Sequence, residues 1–172
     1  MKKILLPLFA CTAILALFFV ACSKDSSRSS TVKVRLTDNP YNAEEVNVDI
    51  RQVNVKFSED SIKGWSSLDT HAGVYNLLGL QNGVDTLLAV GTIPSDVVKE
   101  IRFVLGTNNT IKIYGVVYPL TIPSGAESGL KIKVNKKLNG TLDSLLIDFD
   151  AALSIFQTGT GSYQLKPVLK VK

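Results

Sequence analysis

From Thr31 onward the chain alternates. In "VKVRL", Val32, Val34 and Leu36 share one face and Lys33 and Arg35 the other. "LKIKV" repeats the arrangement, with Leu130, Ile132 and Val134 opposed by Lys131 and Lys133. Near the end Tyr163, Leu165, Leu169 and Val171 share a face, while Lys166, Lys170 and Lys172 face away. A period of two in β-branched segments predicts strands, and one-sided burial predicts antiparallel sheets with one wet face. "VNVDIRQVNVKF" holds a fault in this pattern. Val46, Val48 and Ile50 occupy even positions and Val53, Val55 and Phe57 odd ones. A one-residue shift turns every side chain to the other face, so an extra residue between Ile50 and Val53 is expected, as a bulge or a corner.

Turn signals separate the strands: Asp38-Asn39-Pro40, Gly64-Trp65, Asn82-Gly83, Asn108-Asn109, Gly115, Pro123-Ser124-Gly125, Asn139-Gly140 and Gly159 to Gly161. "GVDTLLAVG" holds at most a helical turn, and no internal repeat is present. The expected fold is all-β, an antiparallel β-sandwich of Ig-like or transthyretin-like type, occupying residues 31–172 as a single domain.

The first thirty residues follow another rule. Met1 precedes Lys2 and Lys3, and an apolar stretch then runs from Ile4 to Ala21, interrupted by Pro7 and Thr12. This is the layout of a cleaved secretory signal over residues 1–21; a spanning helix needs about 20 apolar residues with suitable flanks. Phe19-Val20-Ala21-Cys22 resembles a bacterial lipobox, with Phe19 where Leu is usual. The resemblance implies that Cys22 is lipidated, carries a diacylglyceryl group and a further acyl chain such as palmitate, and becomes the new N-terminus. Two or more chains anchor a protein stably without a spanning helix. Residues 22–30, ending in "SKDSSRSS", read as a flexible tether. Its last eight residues reach at most about 29 Å at ~3.6 Å each. The expected location is the bacterial cell envelope, as an outer-membrane lipoprotein whose membrane partner is held through the N-terminal lipid.

Cysteine content agrees with this reading. Cys11 falls in the signal and Cys22 under the lipid, so no thiol remains for a disulfide, redox couple or nucleophile. From Cys22 the chain keeps 151 residues, enough to bury roughly 68–70% of the unfolded surface in one core. The net charge is +4, and without Lys2 and Lys3 the basic and acidic residues number 17 and 15. That balance does not suit a nucleic-acid binder.

A set of local patterns in fixed order adds a family. "VRLTDNP", "VNVDIRQVNVKF", "GW…LDTHAGVYNLLGLQNGV", "IRFVLG", "SGLKI", "LIDFDAALSI" and "GSYQLKPVLKV" together resemble the bacterial family known as domain of unknown function 4382, from about Thr31 to Val171. The resemblance implies an exported, often lipid-anchored β-sandwich and brings no established activity. In "IPSDVVKEIRF" the chain has Ser95-Asp96-Val97 where the family tends to a Pro-Ala-Gly turn followed by Tyr.

Candidate chemistry is sparse. His71 is the sole histidine, so a Ser–His–Asp triad or a His-rich metal site would hang on one residue at a strand edge or turn. "IDFDA" sets Asp148 and Asp150 two apart on one strand face, about 7 Å from each other, the spacing of an inverting glycosidase pair. With Ile147, Phe149 and Ala151 facing the core, these acids are expected to face outward and pair with lysines. Asp38 is the third oxygen donor of a weak calcium candidate. Trp65, Tyr114 and Tyr41 are candidate stacking residues for a glycan or a partner protein. The expected function is a non-catalytic, lipid-anchored binding or scaffold domain without a cofactor. The alternative is a weak-signature hydrolase or a calcium-dependent domain using Asp148 and Asp150.

Overall fold

The computed structural model describes residues 29–38, 41–123, 129–139 and 142–172. The signal, Cys22, most of the tether, Asn39-Pro40, Ser124-Gly125 and Gly140 lie outside the described residues.

Two sheets form a sandwich. The five-stranded sheet has the order β14 (Leu169–Val171), β11 (Leu142–Phe149), β1 (Ser30–Thr37), β6 (Thr86–Ile93) and β4 (Asp69–Thr70). The larger sheet runs β10 (Leu130–Lys137), β7 (Val97–Leu105), β2 (Glu45–Lys56), β8 (Thr110–Ile113), β9 (Val116–Thr121), β13 (Ser162–Leu165) and β12 (Ile155–Gly159). β3 (Trp65–Ser67) and β5 (Gly73–Asn76) also pair with β2. Among the described residues, a 3₁₀ turn, Leu77–Leu80, follows β5, and an α-helical turn, α1 (Ala151–Ser154), joins β11 to β12.

The core follows the period-two pattern. Val32, Val34 and Leu36 of β1 and Leu145, Ile147 and Phe149 of β11 are fully buried, in one cluster with Val46, Val48, Ile50, Val53 and Val55 of β2 and Ile101 and Phe103 of β7. On β2 the register against β7 shifts between Ile50, opposite Leu105, and Gln52, opposite Val104. Arg51 and Gln52 are exposed there, and both apolar trios remain turned inward. The expected irregularity is this bulge. Beyond it β2 continues against β8, with Asn47 opposite Thr110, so β7 and β8 follow one another along the same strand.

The sheets are mixed rather than purely antiparallel. β1 pairs with β11 in parallel over seven residues, Thr31–Leu142 to Thr37–Asp148, and β13 pairs with β9 in parallel. Alternation reports a half-buried face and carries no information on strand direction, so these pairings were outside its reach. "GVDTLLAVG" forms the start of β6 and not a helical turn. The last lysine-studded run is two strands, because the chain crosses between sheets at Lys166–Val168, where Pro167 has no N–H to give to a ladder.

Strand directions define two ends. Ser30 lies opposite Ile93, Thr31 beside Leu142, Lys137 opposite Val97 and Lys56 opposite Glu100. The start of β1, the β2–β3 loop, the β6–β7 turn and the start of β11 therefore share the amino-terminal end. The far end holds Asp38, the 3₁₀ turn, α1 and the β8–β9 hairpin.

Candidate functional site

Asp38, Asp148 and Asp150 do come together, at the far end, but not as a solvated face. Their exposures are 3%, 1% and 4%. The expectation that the two acids of "IDFDA" share an outward strand face is overturned: both are buried, and only Asp148 belongs to β11, with the Lys172 ammonium against it, while Asp150 lies past the strand's end as the cap of α1. Parallel pairing with β1 puts Asp148 beside Thr37. The Oδ1 atom of Asp38 then accepts from the Ala151 N–H at 2.9 Å, and its Oδ2 accepts from Gln81 Nε2 at 3.3 Å. Asp150 is the N-cap of α1 and accepts from the Leu153 N–H at 3.1 Å. The lysine pairing expected of the surface is present. Asp150 Oδ2 is 2.9 Å from Lys170 Nζ and Asp148 Oδ2 is 3.2 Å from Lys172 Nζ. The hydrogen bond to Asp150 raises Lys170 above the usual lysine value.

This arrangement closes a structural junction. Ser154 adds to it, accepting from the Val168 N–H at 2.8 Å while its hydroxyl donates to the Asp150 carbonyl. Among the described residues no group of three or more His, Cys, Asp and Glu is placed to hold a metal ion. The buried carboxylates are instead matched by backbone N–H groups and ammonium groups, as buried charge requires.

The aromatic candidates do not converge. Trp65 stands at the amino-terminal end, half-buried, with the Arg102 guanidinium 4.3 Å from its ring centroid. Tyr41 packs against the core, and burial raises its phenol above the usual value; it is no free stacking residue. Tyr118 and Tyr163 lie ring to ring at 5.2 Å. Tyr114 is different. Ile113 pairs with Val116, so Tyr114 and Gly115 make a two-residue loop with φ of 49° and 75°, a type I′ turn. Tyr114 is 94% exposed, and Val116 and Val117 beside it are also exposed. Glu44 pins the turn by accepting from the Gly115 N–H at 2.8 Å. His71 is exposed, between β4 and β5, and its carbonyl accepts from the Tyr75 hydroxyl.

One polar constellation escaped the sequence. Asp49 lies on the nominally wet face of β2 yet is fully buried. Its Oδ2 accepts from Arg51 Nη2 at 2.8 Å and from the Asn108 N–H at 3.2 Å. Its own N–H donates to Asn109 Oδ1 at 2.9 Å, where a ladder bond would otherwise run. A Cβ on Gly106 would lie 2.2 Å from the same carboxylate. The loop so held forms one wall of a cleft of about 500 Å³, completed by Pro119, Leu120, Thr121 and Ile122. The signal available was an acid at a wet position opposite an Asn-Asn loop.

If the three acids are structural, replacing Asp38 by Ala leaves the buried Ala151 N–H without an acceptor and costs about 1–3 kcal/mol. Thermal unfolding should show that loss, and millimolar calcium followed by chelator should leave the wild-type midpoint where it was. Alkaline pH gives a second expected outcome. Lys170, Tyr41 and Tyr75 all have values raised in the fold. Their contribution is complete below the ordinary values of 10.5 and 10.0 and is lost as pH climbs through the folded values. The unfolding midpoint should therefore fall above about pH 10, and Lys170→Met should make that fall shallower.

No curated protein and no solved structure matches the chain. The family model described as Domain of unknown function (DUF4382) matches residues 29–167. That span takes in every strand from β1 to β13 and the buried acids, and the chain belongs to this family.

Proposed function

We propose that the protein is a lipid-anchored component of the bacterial cell envelope, an outer-membrane lipoprotein whose sandwich binds an envelope glycan or protein and catalyses nothing. Tyr114 carries the reading. Left-handed backbone favours Gly, Asn or Asp and is disfavoured for a bulky residue, yet the apex of the β8–β9 turn holds a tyrosine almost wholly in water. Neither local geometry nor the core calls for an aromatic ring there. Recognition by stacking does, and the next strand residues, Val116 and Val117, are apolar and exposed as well. Hydrolysis or calcium dependence through Asp148 and Asp150 draws no such support, since each carboxylate is engaged by a lysine.

The anchor half of the proposal rests on Cys22. The mature protein should partition into detergent and carry fatty acid, and Cys22→Ser should abolish both. An N-terminal peptide beginning at Cys22 with both its thiol and its amine unmodified would overturn it. The binding half is tested with Tyr114→Asn, titrating the domain from Thr31 against peptidoglycan and outer-membrane protein fractions. The variant should gain up to about 1 kcal/mol in stability by relieving the left-handed backbone, while its binding falls. Unchanged binding to both fractions would remove Tyr114 from the surface.

A further inference from the structure

We propose that the β2–β3 loop, Ser58 to Gly64, is a membrane-contacting tip, with Ile62 seated at the headgroup–acyl boundary of the bilayer that holds the anchor. The inference rests on the lipid-anchor reading above and adds to it the orientation of the domain.

Three observations converge. Ile62 is 85% exposed, far more than a lone isoleucine needs to be. The loop is built to hold it outward: Asp60 Oδ1 accepts from the Ile62 and Lys63 N–H groups at 2.8 and 2.7 Å. The Gly64 N–H bonds the Asp60 carbonyl at 3.1 Å, and the Phe57 N–H bonds the Gly64 carbonyl at 2.8 Å. A Cβ at Gly64 would sit 2.2 Å from the Asp60 carbonyl oxygen, so the turn closes only with glycine. The apex is therefore rigid, and its isoleucine is presented rather than left over.

The third observation is position. The loop leaves β2 at Lys56, opposite Glu100 near the start of β7, and so lies at the end where β1 begins. From Ser30 only eight residues lead back to Cys22, at most about 29 Å of chain. The end bearing Ile62 is the one the tether draws toward the bilayer, and Leu142, 53% exposed, lies at that end beside Thr31. The charge of the loop's two acids is offset by lysines: Glu59 pairs with Lys99 and Lys56, and Lys63 shares the turn with Asp60. Lys63 stands beside Ile62, where its stem can lie along the interface and its ammonium reach the headgroups. One isoleucine would not bind a membrane unaided. Tethering makes the contact intramolecular, and a weak contact at high effective concentration suffices to orient a domain.

Trp65, the only tryptophan, begins β3 immediately after the loop and reports on it. The full mature chain is placed in phosphatidylethanolamine–phosphatidylglycerol vesicles carrying a nitroxide in either the headgroup or the deep acyl region. It is anchored by its own lipid or, should Cys22 arrive unmodified, by coupling that thiol to a maleimide lipid. Arrival unmodified defeats the anchor reading, while the tip is still measured. The expected result is loss of at least half the Trp65 emission with the headgroup label and much less with the deep one. Ile62→Asp should restore emission to the level seen for the domain in solution, with co-sedimentation and unfolding midpoint unchanged. Emission insensitive to both labels, or quenching that survives Ile62→Asp, would overturn the proposal.

Discussion

Everything in this sandwich hangs on the extra residue at Arg51. β2 is bonded to β3, β5, β7 and β8, and it supplies five fully buried side chains to the core. Without the bulge, either Val46, Val48 and Ile50 or Val53 and Val55 would turn to the outside of the sheet, and the two halves of the strand would claim different cores. The irregularity leaves backbone groups to satisfy. Here the Gly106 N–H bonds the Asp49 carbonyl and the Asn109 side chain meets the Asp49 N–H. The corner between β7 and β8 is thus fixed by the same register shift, and the cleft beside it follows.

The buried acids answer a second constraint. β1 and β11 run in parallel and end together, and each strand end leaves backbone donors that water does not reach. Asp38 and Asp150 supply acceptors for the N–H groups of Ala151 and Leu153, starting a helix of a single turn that could not nucleate alone. Lys170 and Lys172 then offset the charge from the neighbouring β14. An ionised carboxylate in such a place is held by partners on at least two elements, so the junction acts as a lock between the first strand of the domain and its last.

How far the sequence was legible depends on what each pattern measures. Alternation found β1, β2 and β10 and located the register fault, because both follow from which face meets the core. The Asn82-Gly83 turn was equally plain, and both residues have positive φ. Strand direction leaves no trace in a period of two, so the general expectation of antiparallel sheets misses the parallel β1–β11 pair. The wet-face rule also failed wherever a strand is covered twice. Asp148 and Asp49 both sit at outward positions and both are buried, one against the Lys172 ammonium, the other under the Gly106–Asn109 loop. Charge at such a position signals enclosure only when its partners are known, and those partners lie at Lys172 and Asn108, far along the chain.

The parallel seam has a consequence for how the domain comes into being. β1 can pair with β6 early, but its other edge must wait for β11, more than a hundred residues later in the chain. At ~5–20 residues per second, the 56 residues from Ile93 to Phe149 take roughly 3–11 s to appear. Throughout that interval the future centre of the smaller sheet is an open edge of Val, Val and Leu, the kind that recruits strands from other chains. Non-local pairing of this sort also slows the final closure. A chain kept extended until β11 has arrived escapes that exposure, so the seam favours export of the whole domain before it folds.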